Sequence, residues 1–289
     1  MGATLEQFAG RVTITDGAWG TQLQARGLPS GACPDTWNLE RPEAVEAVAR
    51  DYLAAGSEVV LTNTFRANRF ALEQWGLADR AAEIAEAGAS LSRKAVGDAA
   101  RVFASIGPTG KLLMMGQVQP DELYAAFAEQ ARALARGGAD AILCETFTDL
   151  EELRLALQAA RENTDLPVVV SMTFDSGPDG TATMMGIHPA DLARLAEQAG
   201  AAAVGANCGA GPEHLVKITA LLRSATALPV WVKPNAGVPE LRDGQTVFPL
   251  GPEEFARYVP ALIEAGANFI GGCCGTTPDH IRAVVAAVK

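Results

Sequence analysis

Short β-branched runs alternate with longer alanine-rich stretches whose apolar positions recur every three or four residues, and the alternation repeats about eight times along the chain. The short runs predict strands at 11–16, 58–63, 101–106, 140–145, 167–173, 202–208, 229–235 and 268–273. Between them the helical period predicts helices at 41–55, 77–96, 121–136, 149–161, 189–198, 212–224, 252–264 and 278–288. Pro42, Pro189, Pro212, Pro252 and Pro278 stand at helix starts, while Gly97 and Gly137-Gly138 follow helix ends, the usual punctuation of the two termini. Phrases such as Gln198-Ala199-Gly200-Ala201 and Glu264-Ala265-Gly266-Ala267 recur between helix and strand, where glycine turns the chain back. Nothing resembling a linker or a change of composition interrupts the series. The pattern predicts one α/β domain over 1–289, and eight units favour closure into a (β/α)8 TIM barrel. The absence of Gly-x-Gly-x-x-Gly after the first strand points the same way.

Composition narrows the function classes. The chain has 289 residues, 48% of them hydrophobic, enough for a sizeable core in a single barrel. A formal charge of −11 argues against nucleic acid or an anionic membrane surface as partner. No apolar run approaches the roughly 18 residues a membrane-spanning helix needs. Residues 1–11 lack a basic start followed by an apolar stretch. Five cysteines without a repeating framework suit a reducing compartment, so a soluble, cytoplasmic protein is expected.

In such barrels the active site lies at the C-terminal ends of the strands. Those ends read Asp16-Gly17, Thr62-Asn63-Thr64, Gly107-Pro108-Thr109, Glu145-Thr146, Thr173-Phe174, Asn207-Cys208, Pro234-Asn235 and Cys273-Cys274, and they gather almost every chemically unusual residue of the chain. Cys208 beside Gly209, and Cys273-Cys274 between Gly271-Gly272 and Gly275, are poor core-packing material. They suit a three-thiolate zinc site with an open fourth position, as catalytic rather than structural zinc sites have. Alternation along a strand would send Cys273 and Cys274 to opposite faces, so the strand must end or bulge there, with the glycines supplying the freedom. A vicinal disulfide, a redox pair or buried free thiols are the competing accounts. An open position that takes a substrate thiol would hold it deprotonated, which points to alkyl transfer onto sulfur.

Cys33, in a Gly/Pro-rich loop, and Cys144, expected to face the helices, are not assigned as ligands. Asp16 and Glu145 at strand ends best fit recognition of a substrate ammonium, with backbone amides around Gly17 and Ala18 receiving a carboxylate. A cap for Asp16 and a buried ion pair for Glu145 are the structural alternatives. His188, His214 and His280 fall at helix starts and are expected to cap or face solvent. Trp19, Phe65, Met114, Met115 and Phe174 are candidates for pocket walls, and 175–182 for a mobile loop over the mouth.

Taken together, Asp16-Gly17-Ala18-Trp19-Gly20-Thr21, Thr62-Asn63-Thr64-Phe65, Gly205-Ala206-Asn207-Cys208-Gly209, Lys233-Pro234-Asn235-Ala236-Gly237 and residues 271–278 resemble the zinc-dependent homocysteine S-methyltransferase family. Within it they are most similar to the homocysteine-binding module of cobalamin-dependent methionine synthase. The resemblance covers nearly the whole chain and implies a (β/α)8 barrel. It implies that Cys208, Cys273 and Cys274 bind Zn2+, with homocysteine sulfur as fourth ligand. It further implies that Asn235 approaches the metal when homocysteine is absent. Asp16 and Glu145 would hold the substrate ammonium and amides near Gly17 and Ala18 its carboxylate, and the product would be methionine. Because the sequence stops at Lys289, an external methyl donor is expected, either a methylated corrinoid on a partner protein or a small sulfonium or ammonium compound. The alternatives keep the zinc but change the acceptor or the direction, as in a corrinoid-linked demethylase, or make the chain a non-catalytic zinc subunit of a methyltransfer complex.

Overall fold

The computed structural model describes residues 5, 8, 10–242 and 245–289. Eight parallel strands form one sheet: β1 (Thr13–Ile14), β2 (Val59–Val60), β3 (Arg101–Ile106), β4 (Ala141–Phe147), β5 (Val168–Met172), β6 (Ala203–Cys208), β7 (Val230–Pro234) and, after a small hairpin of β8 (Glu240–Arg242) and β9 (Gln245–Val247), β10 (Phe269–Ile270). Neighbours pair in the order β1-β10-β7-β6-β5-β4-β3-β2, and a parallel bridge between Thr15 and Val59 joins the two ends. The sheet is therefore a closed (β/α)8 barrel, as the alternation predicts. No helix among the described residues is long and apolar enough to cross a membrane.

The helices fall where the sequence places them, with Pro189–Gln198 and Pro278–Val288 matching to the residue. The stretch expected as one helix at 252–264 is two, Pro252–Ala256 and Val259–Glu264, and Pro260 is the reason. It has no N–H to donate back to Ala256, and its ring crowds that carbonyl. The hairpin β8–β9 lies within the loop that leaves β7 and was not foreseen.

The barrel interior is layered. Inward positions at the N-terminal end hold Phe103, Leu143, Val169, Ala203, Trp231 and Phe269, with Leu5 and Phe8 packed among them. The Phe103 and Trp231 rings stack at 5.8 Å, and Phe8 meets Phe269 edge-on at 5.3 Å. Gly205 faces this layer because any Cβ there would run into the Trp231 backbone. One step further along each strand the inward residues turn polar: Ser105, Glu145, Ser171, Asn207 and Lys233, all buried. An aromatic floor thus carries a polar layer, and the site is built on that layer.

Truncating the floor tests its structural weight. Trp231→Ala should destabilise the fold by about 3–5 kcal/mol, the cost of a large buried aromatic plus its cavity. Urea unfolding would measure it, and a loss under about 1 kcal/mol would show that the layer does not support the barrel.

Candidate metal and substrate site

Three thiols meet at the barrel mouth. The Sγ atoms of Cys208, Cys273 and Cys274 lie within 4.8 Å of one another, and Cys208 and Cys274 are 3.9 Å apart. Local backbone geometry makes this possible. Cys208 takes φ +64 and Gly209 φ +61, so β6 ends in a left-handed turn instead of sending Cys208 outward. Cys273 keeps the sheet ladder through its N–H to the Pro234 carbonyl at 2.7 Å. A tight turn follows, in which the Thr276 N–H donates to the Cys273 carbonyl at 3.1 Å and Gly275 sits at φ +81. Positive φ at the third position is the requirement of a type II turn, and a Cβ on Gly275 would also strike Phe248. The strand end foreseen between the paired cysteines is therefore a glycine-dependent turn.

The thiols are electrostatically interdependent. Sulfur hydrogen bonds from Cys273 and Cys274 draw Cys208 down to about 3. Donating to Cys208 pushes Cys273 up to about 12, and Cys274 is raised for the same reason. Cys208 is thus the most acidic of the three thiols. Asn235, whose Nδ2 donates to the Gly209 carbonyl at 2.7 Å, leaves its buried Oδ1 without a partner among the described residues. Three convergent sulfurs and an orphaned amide oxygen form a donor set that fits a borderline-soft, tetrahedral cation such as Zn2+.

A cavity of about 430 Å3 opens onto the thiols, its wall including Gly17, Ala18, Trp19, Phe65, Glu145, Thr146 and Lys233. The Glu145 Oε1 accepts from Ser105 Oγ at 2.5 Å. Burial lifts its carboxyl to about 7, against the pull of nearby Lys233. Asp16 behaves differently from the expectation that it meets substrate directly. It is fully buried behind the cavity wall, one oxygen paired with Lys233 Nζ, the other accepting from Trp19 Nε1 at 2.8 Å and the Leu61 N–H at 2.7 Å. The buried ion pair considered for Glu145 falls on Asp16 instead. Lys233 was missed by sequence reading, although it shares the inward face of β7 with Trp231, and that parity is the signal that could have found it.

Two more expectations change at the cavity rim. The Ala18 N–H donates to Thr276 Oγ1 at 3.0 Å. Gly17 is required by packing, since a Cβ would come within 2.7 Å of Thr276 Oγ1 and Tyr52 Oη. Trp19 and Phe65 do wall the cavity; Phe174 is instead part of the outer core, and Met114 and Met115 are 72% and 66% exposed. Cys144 is buried in the outer core, as foreseen. Cys33 is buried too, its Sγ 3.8 Å from Asp35 Oδ2 and its thiol raised to about 12 by burial. His280 caps its helix through Thr277 and reaches the Leu250 carbonyl at 2.9 Å, while His214 meets the Phe174 carbonyl at 2.9 Å. Residues 175–182 form a compact turn closed by a bridge between Ser176 and Ala182.

A closed parallel barrel with a three-thiol cluster and a polar cavity at its C-terminal mouth defines a (β/α)8 enzyme scaffold whose cysteines could hold a metal ion. The chain belongs to the homocysteine S-methyltransferase family, which it matches over residues 13–288. It is 36% identical to methionine synthase of Mycobacterium leprae (strain TN) and 35% identical to that of Mycobacterium tuberculosis (strain ATCC 25618 / H37Rv). Each alignment covers 98% of this chain but 25% of the relative, so the chain spans about a quarter of the length of these curated relatives. Among solved structures, the homocysteine methyltransferase MmuM from Escherichia coli is 26% identical with a TM-score of 0.81 in both its oxidised and its metallated form. Those matches cover 98% of this chain and 98% of the oxidised form, and 97% and 98% for the metallated form.

The raised Glu145 carboxyl has a consequence for stability. Its value is about 7 in the fold against an ordinary 4.5, so the folded protein holds an extra proton between the two and loses stability as pH rises through that window. Glu145→Gln should remove the loss, making metal-free protein more stable than wild type at pH 8 by up to about 3 kcal/mol, with little difference near pH 4. Urea unfolding at both pH values checks this; equal stability at pH 8 would contradict the assignment.

Proposed function

We propose that the chain is a zinc-dependent homocysteine S-methyltransferase that uses an external methyl donor and yields methionine. The observation that carries the reading is the meeting of three thiols at one end of a cavity whose wall also presents Glu145. Cys208, Cys273 and Cys274 would hold Zn2+, with the Asn235 amide hydrogen-bonded beside Cys208. The ion supplies Lewis acidity that keeps a substrate thiol ionised near neutral pH.

The protein's own residues do the remaining work. Ionised Glu145 receives the homocysteine ammonium, and Ser105 fixes the direction of its Oε1. Asp16 acts one layer back by holding Lys233 in the cavity wall near Glu145. The Gly17–Ala18 segment, anchored by Thr276 and by Tyr52 Oη on the Ala18 carbonyl at 2.6 Å, shapes the end that takes the amino-acid carboxylate. The homocysteine thiolate attacks the methyl carbon in line. Its S–C bond forms as the methyl–donor bond breaks, and that bond's electron pair leaves with the donor. Positioning rather than a protein base supplies most of the rate.

The loops around the mouth support a methyl group carried on a corrinoid protein. Leu112, Met114, Met115, Met184, Val238 and Leu241, six of the seven exposed large hydrophobics among the described residues, lie on loops that follow β3, β5 and β7. An apolar rim around an active-site mouth is the kind of surface that another protein covers.

Methionine formation by zinc-loaded protein should be assayed in parallel with methylcobalamin, a methylated corrinoid protein, S-methylmethionine and betaine. Turnover with the corrinoid donors is expected, and turnover with a small donor alone would contradict the corrinoid reading. Cys208→Ser, Cys273→Ser and Cys274→Ser should each lose bound zinc and at least about a hundredfold in activity, followed by metal analysis and product formation. Full activity in a metal-free triple variant would overturn the zinc reading.

A further inference from the structure

Thr146 has a backbone conformation that its own chemistry opposes. It takes φ +65, where a β-branched residue is a genuine outlier under strain. The strain has a visible product. The β4–β5 register shifts between Cys144 and Phe147, so Cys144 and Phe147 both pack in the outer core while Glu145 faces the cavity and Thr146 joins its wall. Thr146 is the extra residue of a bulge that sets the aim of Glu145.

Asn207, 1% exposed, holds that bulge from the neighbouring element. Its Oδ1 accepts from the Thr146 N–H at 3.0 Å and from Ser171 Oγ at 2.6 Å. Its Nδ2 donates to Thr146 Oγ1 at 2.7 Å and faces Cys273 Sγ at 3.9 Å. The orientation of the amide follows from the partners. A backbone N–H can only donate, so Oδ1 must face Thr146 N, which leaves the NH2 group on the side of Cys273. One side chain therefore clamps the strained residue beside Glu145 and offers a hydrogen bond to one of the three sulfurs.

We propose that Asn207 is a positioning residue that couples the substrate carboxylate on β4 to the Cys273 sulfur, fixing the ammonium site and the metal site relative to each other. This rests on the zinc and homocysteine reading above. A clamp serving both sites has two separable functions. The acceptor holds Thr146 and so the aim of Glu145, and the donor fixes the position of the Cys273 sulfur.

The test measures zinc affinity by competition with a chromogenic chelator and homocysteine affinity by calorimetry on zinc-loaded protein. Asn207→Asp keeps the acceptor for Thr146 and Ser171 but replaces the donor with an anion. Its zinc affinity should fall by about 10–100-fold, the usual effect of losing a ligand's hydrogen-bond partner. Asn207→Ala should weaken both zinc and homocysteine binding, the latter by about tenfold or more. Adding Thr146→Gly to Asn207→Ala should recover most of the homocysteine affinity, because glycine takes positive φ without a clamp, but none of the zinc affinity. A residue needed for folding alone would lower Tm, leave both affinities of the folded protein unchanged and show no rescue. Zinc affinity within twofold of wild type for Asn207→Asp would overturn the proposal, and that variant decides the matter even where Asn207→Ala fails to fold. Wild-type protein that binds neither zinc nor homocysteine would instead sink the functional reading beneath it.

Discussion

Three sulfur atoms within 4.8 Å of one another cannot all be thiolates in this fold without a cation among them. Two unit charges at that separation repel by about 3–4 kcal/mol at the effective dielectric of a protein near its surface. Hydrogen bonds among the thiols relieve the repulsion, Cys208 being drawn down while its neighbours are pushed up. A divalent ion reverses that preference, and protons leave as it binds. Much of the mouth can be read as the means of holding this awkward triad in place: a left-handed residue at Cys208, a glycine turn after Cys274 and an amide against Cys273.

The barrel separates this chemistry from its stability. Aromatic and aliphatic side chains fill the N-terminal half of the interior, beneath the polar layer. That layer is costly, since it buries Asp16, Glu145 and Lys233 together. The costs are met by specific partners: Lys233 for Asp16, Ser105 for Glu145, and a chain in which Thr62 donates to Thr64 and Thr64 to the Ser105 carbonyl. The Glu145 carboxyl, lifted by burial, faces the cavity assigned to substrate, and a perturbed carboxyl in a cavity marks a candidate binding group.

Strand and helix order was legible because period and punctuation agree: Arg101–Ile106 and Pro189–Gln198 lie where their patterns begin and end. The three thiols were legible too, because glycine-flanked cysteines at strand ends have little other use. What escaped depends on contacts between distant strands. Nothing local marks Thr146 as left-handed, since a β-branched residue predicts extended backbone, and its conformation is imposed by Asn207 from β6. Asp16 reads as a free strand-end carboxylate until β7 brings Lys233 to it across the barrel. Residue type identified the chemistry; only the closed sheet shows which groups are already taken.

Zinc K-edge X-ray absorption on zinc-loaded protein, with and without homocysteine, would reveal whether the substrate thiol joins the three cysteines on the metal. Three sulfur scatterers and one light nitrogen or oxygen atom are expected in the free protein, becoming four sulfurs when homocysteine is added. Three sulfurs unchanged by saturating homocysteine, or four already present without it, would contradict an open position that receives the substrate thiol.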